Sequence, residues 1–250
     1  MSLLERLVTH STSDWDEGEL RFGALLTPQG KVLVDFLSLR TATGVLMEMH
    51  KDALTILQPR LKLYKLRADV EIAPVTDQAL FLCSAEGGGA PDPRSPLLPH
   101  RTLAPFTVDA GNATAAYETQ SIAAGIPEWG RDYRDGEVFP TDVNMDRMHG
   151  VDYKKGCFVG QEVASRMYRR GKIRKRTIRL EGAGLAVGEA VKLGDTPLGE
   201  VTSASGDIAL ARVRIDRLGH AKEVDVGGKP TRVTGPDWLT GEVEALLVSD

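Results

Sequence analysis

Apolar residues change their spacing several times along this chain, and each change predicts a different element. Over 19–26 and 31–39 they run together or alternate in short stretches, the pattern of strands. Thr27-Pro28-Gln29-Gly30 separates the two runs, with Pro second and Gly fourth, so 19–39 predicts a hairpin closed by a type I turn. Residues 45–49 predict a third strand. From 52 to 63 the spacing lengthens, with Leu54, Leu57 and Leu61 on one side of a helix that Pro59 is expected to kink or divide. Strand spacing returns at 70–75 and 79–83, and 103–108 is apolar and extended. Asn112 suits the cap of a helix running to about 124, closed by Gly125 and followed by Pro127.

The Gly/Pro-rich segment 84–99 is the best candidate boundary within the first part of the chain. Beyond a short helix at 161–170, apolar pieces of four to eight residues alternate with Gly/Asp turns from 173 to 233, which predicts a small antiparallel β-barrel or sandwich. Strands mixed with helices, then an all-β end, define an α+β chain. The expected organisation is 1–172, 173–240 as the barrel domain, and 241–250 as a loosely held tail.

Composition narrows the class. A chain of 250 residues can bury a real core. The formal net charge of −4 with 26% charged residues is ordinary for a soluble protein. Nothing over the whole chain calls for nucleic acid or a membrane, and no apolar run approaches the roughly 20 residues that span a bilayer. The start lacks the basic-then-apolar pattern of a secretory signal. Two cysteines, Cys83 and Cys157, make no disulfide framework, so a reducing cytoplasm is expected. Cys83 ends an expected strand and reads as core.

The chemistry concentrates in residues 154–166, KKGCFVGQEVASR. Gly156 and Gly160 make 156–160 a tight loop. From Gln161 the spacing is helical, with Glu162 in the first turn, Arg169 and Arg170 in the last, and Gly171 as the stop. Cys157 therefore lies just before a helix N-terminus and close to Lys154 and Lys155. Both surroundings favour thiolate over thiol.

This motif, K-G-C-F-x-G-Q-E-x-x-x-R, resembles the signature of YgfZ-type folate-binding proteins. These are relatives of the glycine-cleavage T-protein that act in iron–sulfur cluster assembly or repair. Lys155, Gly156, Cys157, Phe158, Gly160, Gln161, Glu162 and Arg166 match it position by position. LLTPQGKVLVDF at 25–36 and AAGIPEWGRDY at 123–133, with Asn144 and Met145 beyond, resemble two further blocks of the family. The resemblance implies two ferredoxin-like α+β subdomains followed by a small C-terminal antiparallel β-barrel, the first strand being absent here. It implies a tetrahydrofolate ligand, with Asn144, Asp146, Gln161 and Glu162 as groups that could read the pterin and Arg166 as a cation for the glutamate tail. It makes Cys157 the reactive group, with Lys155 lowering its pKa. A cluster takes about four thiolates or their substitutes. The chain has no metal site of its own, and Cys157 could be one ligand of a cluster shared with an assembly protein or client enzyme.

Departures from the family bear on activity. Ser121 stands where the family often has an arginine, so a contact is lost or supplied by the basic run. Val34-Asp35 stands where the T-protein has two adjacent aspartates. The implied fold is that of a transferase, yet these residues argue against an aminomethyltransferase. A one-carbon transferase is thus one alternative. Another is an RNA- or tRNA-modification-linked module, because 166–179 carries eight Lys or Arg. With Tyr168 the only aromatic in that run, base stacking is weakly supported and nucleic acid is the less expected partner. GAGLAVG at 182–188 has the wrong spacing for a dinucleotide fingerprint.

Overall fold

The computed structural model describes residues 2–105, 114–169 and 173–248. After a one-turn helix α1 (Ser2–Glu5), the expected hairpin is β1 (Leu20–Leu26) and β2 (Val32–Arg40), and β3 (Val45–Glu48) joins it in the order β1-β2-β3. The turn closes with Gly30 N–H donating to the Thr27 carbonyl at 2.8 Å, and Gly30 takes φ 78°. The register slips by one residue at Leu25/Leu26, so this is a type I turn completed by a glycine bulge. Nearly every residue of β1 and β2 is buried, because both faces of the sheet are covered. Phe22 pairs with Leu37 and Gly23 with Phe36, so neighbours in sequence face opposite ways. Gly150 packs on the Phe22 ring on one face. On the other, a Cβ at Gly23 would overlap the His10 ring.

The helix α2 (Leu54–Lys65) runs through Pro59 undivided and buries Leu57 and Leu61. Residues 70–75 form no strand: their apolar alternation finds no partner, and Pro74 removes one donor from any ladder. β4 (Gln78–Cys83) and β5 (His100–Pro105) pair as a two-stranded antiparallel sheet, with Cys83 half-buried at its end. The loop at 84–99 lies inside one compact unit, made of 1–113, 134–140 and 145–163, and is fastened there by charge. Asp92, fully buried, accepts from Arg94 Nε at 3.0 Å and is paired with Arg101, which also reaches Glu48 on β3 at 2.6 Å.

The second unit comprises 114–133, 141–144 and 164–250. Its helix α3 (Thr114–Ala123) ends before Gly125 at φ 77°; the Asn112 cap, residues 106–108, Arg170 and Lys172 lie outside the described residues. The helix α4 (Gln161–Arg169) leads into the expected barrel. β6 (Lys175–Glu181), β7 (Ala190–Leu193), β8 (Thr196–Ser205), β9 (Ile208–Arg214), β10 (Glu223–Val226) and β11 (Lys229–Gly235) close in the order β10-β11-β6-β9-β8-β7. Bulges at Val191/Lys192, Val201/Ser203 and Val233/Gly235 supply local bends in the sheet. Alternate residues such as Ile178, Leu180, Ala209 and Ala211 fill the interior with Ile215 and Leu218 of the short α5 (Ile215–Leu218).

The expected tail is instead a helix, α6 (Leu239–Val248), because Leu239 and Val243 pack into the barrel core. The basic run is also not one surface. The Arg176 side chain is 0% exposed: it donates to the Thr141 carbonyl at 2.8 Å, pairs with Glu242 at 2.8 Å and lies 5.0 Å from the Trp238 ring. Arg179 donates to the Ala123 and Thr234 carbonyls. Two of the eight cations thus hold the barrel's surroundings together. Removing one partner strands a buried charge, so Glu242→Ala should lower stability by about 3 kcal/mol in urea unfolding.

Candidate functional site

Cys157 is exposed, on a loop that the first unit holds at both ends. On the N-terminal side Lys155 turns inward, its side chain 2% exposed. Its Nζ donates to the Val8 carbonyl at 2.9 Å and the His10 carbonyl at 2.8 Å, and lies 3.5 Å from the Glu5 carboxylate. The Phe158 ring lies 5.4 Å from the same nitrogen and is itself buried. Asp152 accepts from the N–H of Lys154 at 2.8 Å and of Lys155 at 3.2 Å, which turns the chain just before the loop. On the C-terminal side Gly160 sits at φ 76° against the hairpin turn. A Cβ there would overlap the Thr27 carbonyl oxygen and stand 3.0 Å from Leu26 Cβ, so both the angle and the space require glycine. Gln161 closes the loop, its Nε2 donating to the Lys155 carbonyl at 3.3 Å.

An ammonium group has three protons to donate. Those of Lys155 are directed at two carbonyls and a carboxylate, so Lys155 clamps the loop and is not the thiol's partner. Burial pushes the Lys155 amine below its ordinary pKa, and Glu5 works against that shift. Burial raises the Glu5 carboxyl, but hydrogen bonds from the Thr12 hydroxyl and N–H, with the Lys155 charge, outweigh it and hold Glu5 below the usual carboxylate value. Burial also keeps His10 neutral, pushing it down to about 4 from an ordinary 6.5. Its Nδ1 lies 2.8 Å from the Ser11 carbonyl, and its buried Nε2 has no hydrogen-bond partner among the described residues.

The other expected site residues are divided. Glu162 and Arg166 are exposed on α4, four apart. The Asp146 side chain is buried and lies 3.9 Å from Arg147 Nε, in the first unit. Asn144 belongs to the second unit, where it takes φ 60° at the end of a 3-10 turn over Pro140–Val143. Its Nδ2 donates to the Thr177 carbonyl at 2.8 Å, while its buried Oδ1 has no hydrogen-bond partner among the described residues. The buried Thr141 hydroxyl has none either. Buried polar groups are nearly always bonded, so these two atoms are exceptions to a general rule. Thr141 was not read from the sequence. Nothing in the sequence pointed to Glu5. At Ser121, Arg131 of the following loop donates to the hydroxyl at 2.6 Å, while Arg179 of the basic run reaches the Ala123 carbonyl at the end of the same helix.

The fold so described is that of a known class. It matches the crystal structure of glycine cleavage system aminomethyltransferase T from Bartonella henselae with a TM-score of 0.70, over 96% of this chain and 81% of that one. At 13% identity the likeness carries the fold and not the activity. Residues 174–241 match the family described as the CAF17 C-terminal beta-barrel domain. Among curated proteins the chain is similar to the iron-sulfur cluster assembly factor IBA57, mitochondrial, of Homo sapiens, 26% identical over 87% of this chain and 72% of that protein. It is similar also to the IBA57 homologs of Mycosarcoma maydis, 28% identical over 72% of this chain and 52% of that protein, and Phaeosphaeria nodorum, 30% over 64% and 52%. The chain thus spans about half the length of these fungal relatives. The relatives are named as mitochondrial, which overturns the expected cytoplasmic location. The expectation rested on two unbridged cysteines, and these report a reducing compartment without telling one from another.

Gly160→Ala should cost more than about 1 kcal/mol in urea unfolding and change the rate at which iodoacetamide alkylates Cys157. The His10 shift gives a pH dependence of definite sign. Its folded pKa lies below the unfolded one, so its contribution is complete above 6.5 and is lost as pH falls toward 4. The loss approaches about 3 kcal/mol. His10→Leu should flatten the stability–pH profile between those values.

Proposed function

We propose that the protein is a YgfZ-type factor for assembly or repair of iron–sulfur clusters in client proteins, working with tetrahydrofolate and with Cys157 as its reactive group. The observation that carries this reading is an exposed thiol on a loop pinned by Lys155 at one end and Gly160 at the other. A cluster takes about four ligands. One fixed, accessible cysteine suits a shared site, with the remaining ligands from an assembly protein or client. The names of the similar proteins, iron-sulfur cluster assembly factors, support the same role.

The folate part rests on the polar groups of 141–144. The orphaned Asn144 Oδ1 would accept from the amino or ring N–H edge of a pterin, and the Thr141 hydroxyl can donate or accept beside it. The chemistry of these donor and acceptor groups supports that reading. Arg166, exposed on α4, would meet the glutamate tail. Tetrahydrofolate, when bound, would supply a reduced pteridine able to carry one carbon unit. Gln161 is assigned to closing the cysteine loop rather than to reading the pterin.

Calorimetric titration with tetrahydrofolate tests the ligand. Saturable binding is expected in wild type and Cys157→Ala, weakened about tenfold in Asn144→Ala, the worth of one hydrogen bond. A folded wild type that binds none overturns the folate assignment. The cysteine is tested separately in cells carrying Cys157→Ser, which should lose activity of cluster-dependent enzymes under oxidative stress. Normal activity there removes Cys157 from the mechanism.

A further inference from the structure

The helix α2 carries a second apolar side that its packing does not use. At about 100° per residue, Ile56, Pro59 and Leu63 fall opposite the buried pair Leu57 and Leu61. Leu63 is 64% exposed, and Leu66, just past the helix end, is 85% exposed. Leu66 is held at φ 47° and ψ −112°, a backbone region that non-glycine residues avoid, with no burial of its side chain to offset the strain. The stripe is bracketed by cations. Lys62 falls on one side of it and Arg60 on the other, with Lys65 and Arg67 at its C-terminal end. There is no acidic residue from Leu54 to Arg67, although the chain as a whole has a net charge of −4. None of these four cations has an ion-pair or side-chain hydrogen-bond partner among the described residues.

We propose that α2 and Leu66 form a peripheral docking surface for an anionic lipid bilayer. The occupant follows from shape and charge together. A groove in a partner protein reads a regular helix face. Here the most exposed side chain stands off the helix end, so the patch is an aliphatic knob flanked by cations. That suits a deformable surface which takes aliphatic side chains between its headgroups and offers negative charge around them. The long Lys and Arg stems let the cations reach phosphates while the leucines enter. No helix among the described residues is long and apolar enough to cross a membrane, and α2, about 18 Å long, would lie on the surface. A cluster factor docked this way would meet membrane-bound clients in two dimensions. The inference is independent of the cysteine and folate assignments.

Sedimentation with vesicles tests it, comparing phosphatidylcholine alone with phosphatidylcholine containing 30% cardiolipin. Wild type should bind the anionic vesicles saturably, lose binding as salt is raised, and ignore the neutral ones. Leu63→Gln with Leu66→Gln should weaken binding at least tenfold. Lys62→Gln with Arg67→Gln should weaken it roughly thirtyfold. Circular dichroism and the urea midpoint should be unchanged in both, since all four side chains are exposed. Failure of wild type to sediment with anionic vesicles overturns the proposal, as does undiminished binding by the variants. A dimer lost in the leucine variant, without vesicle binding, would assign the face to a second copy of the chain instead.

Discussion

The cysteine loop depends on one buried ammonium group. Taking a lysine charge out of water costs several kcal/mol unless its donors are filled and its charge is answered. Lys155 meets both conditions only when the Val8 and His10 carbonyls and the Glu5 carboxylate are in place. The N-terminal segment must therefore be docked against β1, where Thr9 N–H donates to the Ala24 carbonyl at 3.0 Å, before the loop can adopt its form. The placement of the exposed thiol rests on that arrangement, because among the described residues Cys157 makes no anchoring contact comparable to those of its neighbours.

The same device recurs through the molecule. Irregular segments are fastened by buried charges as well as by apolar side chains such as Leu98, Trp129 and Val143. Arg101 and Arg94 hold the 84–99 loop through Asp92. Arg176 holds the 141 turn and α6. Asp132 accepts from the Thr202 and Ser203 hydroxyls at 2.7 and 2.6 Å, and also from Arg131, which fastens the 126–133 loop to β8. Such groups add little net stability, but each is expensive to leave half-paired, so the segments they hold have one arrangement that satisfies them all.

Local rules made much of this visible in the sequence. The hairpin with its turn, the cysteine loop, α4 and the barrel all follow from spacing and turn residues, and the α+β class follows from their order. The errors have physical reasons. Residues 70–75 have strand alternation, but a strand exists only with a neighbour, and propensity does not supply one. The segment 241–250 looks like a tail because the burial of the helix that runs through it to Val248 depends on a barrel built from residues far away. The run 166–179 looks like a single basic surface because sequence gives charge without direction: Arg176 points inward and Lys175, its neighbour, outward. Lys155 was read as acting on the nearest cysteine, while its partners lie 145 and 147 positions away.

That separation has a consequence for how the protein is made. Contacts between such distant positions close late, since the loop entropy must be spent before they form. During synthesis the docking surface of Val8 and His10 exists long before the residue it awaits has left the ribosome. The cysteine loop is therefore among the last parts of the first unit to order, and until then its thiol belongs to a chain without defined geometry. A newly made molecule cannot present Cys157 in its folded geometry before the segment of Val8 and His10 and the loop of Lys155 have found each other. The clamp thereby dates the thiol's competence to the completion of folding.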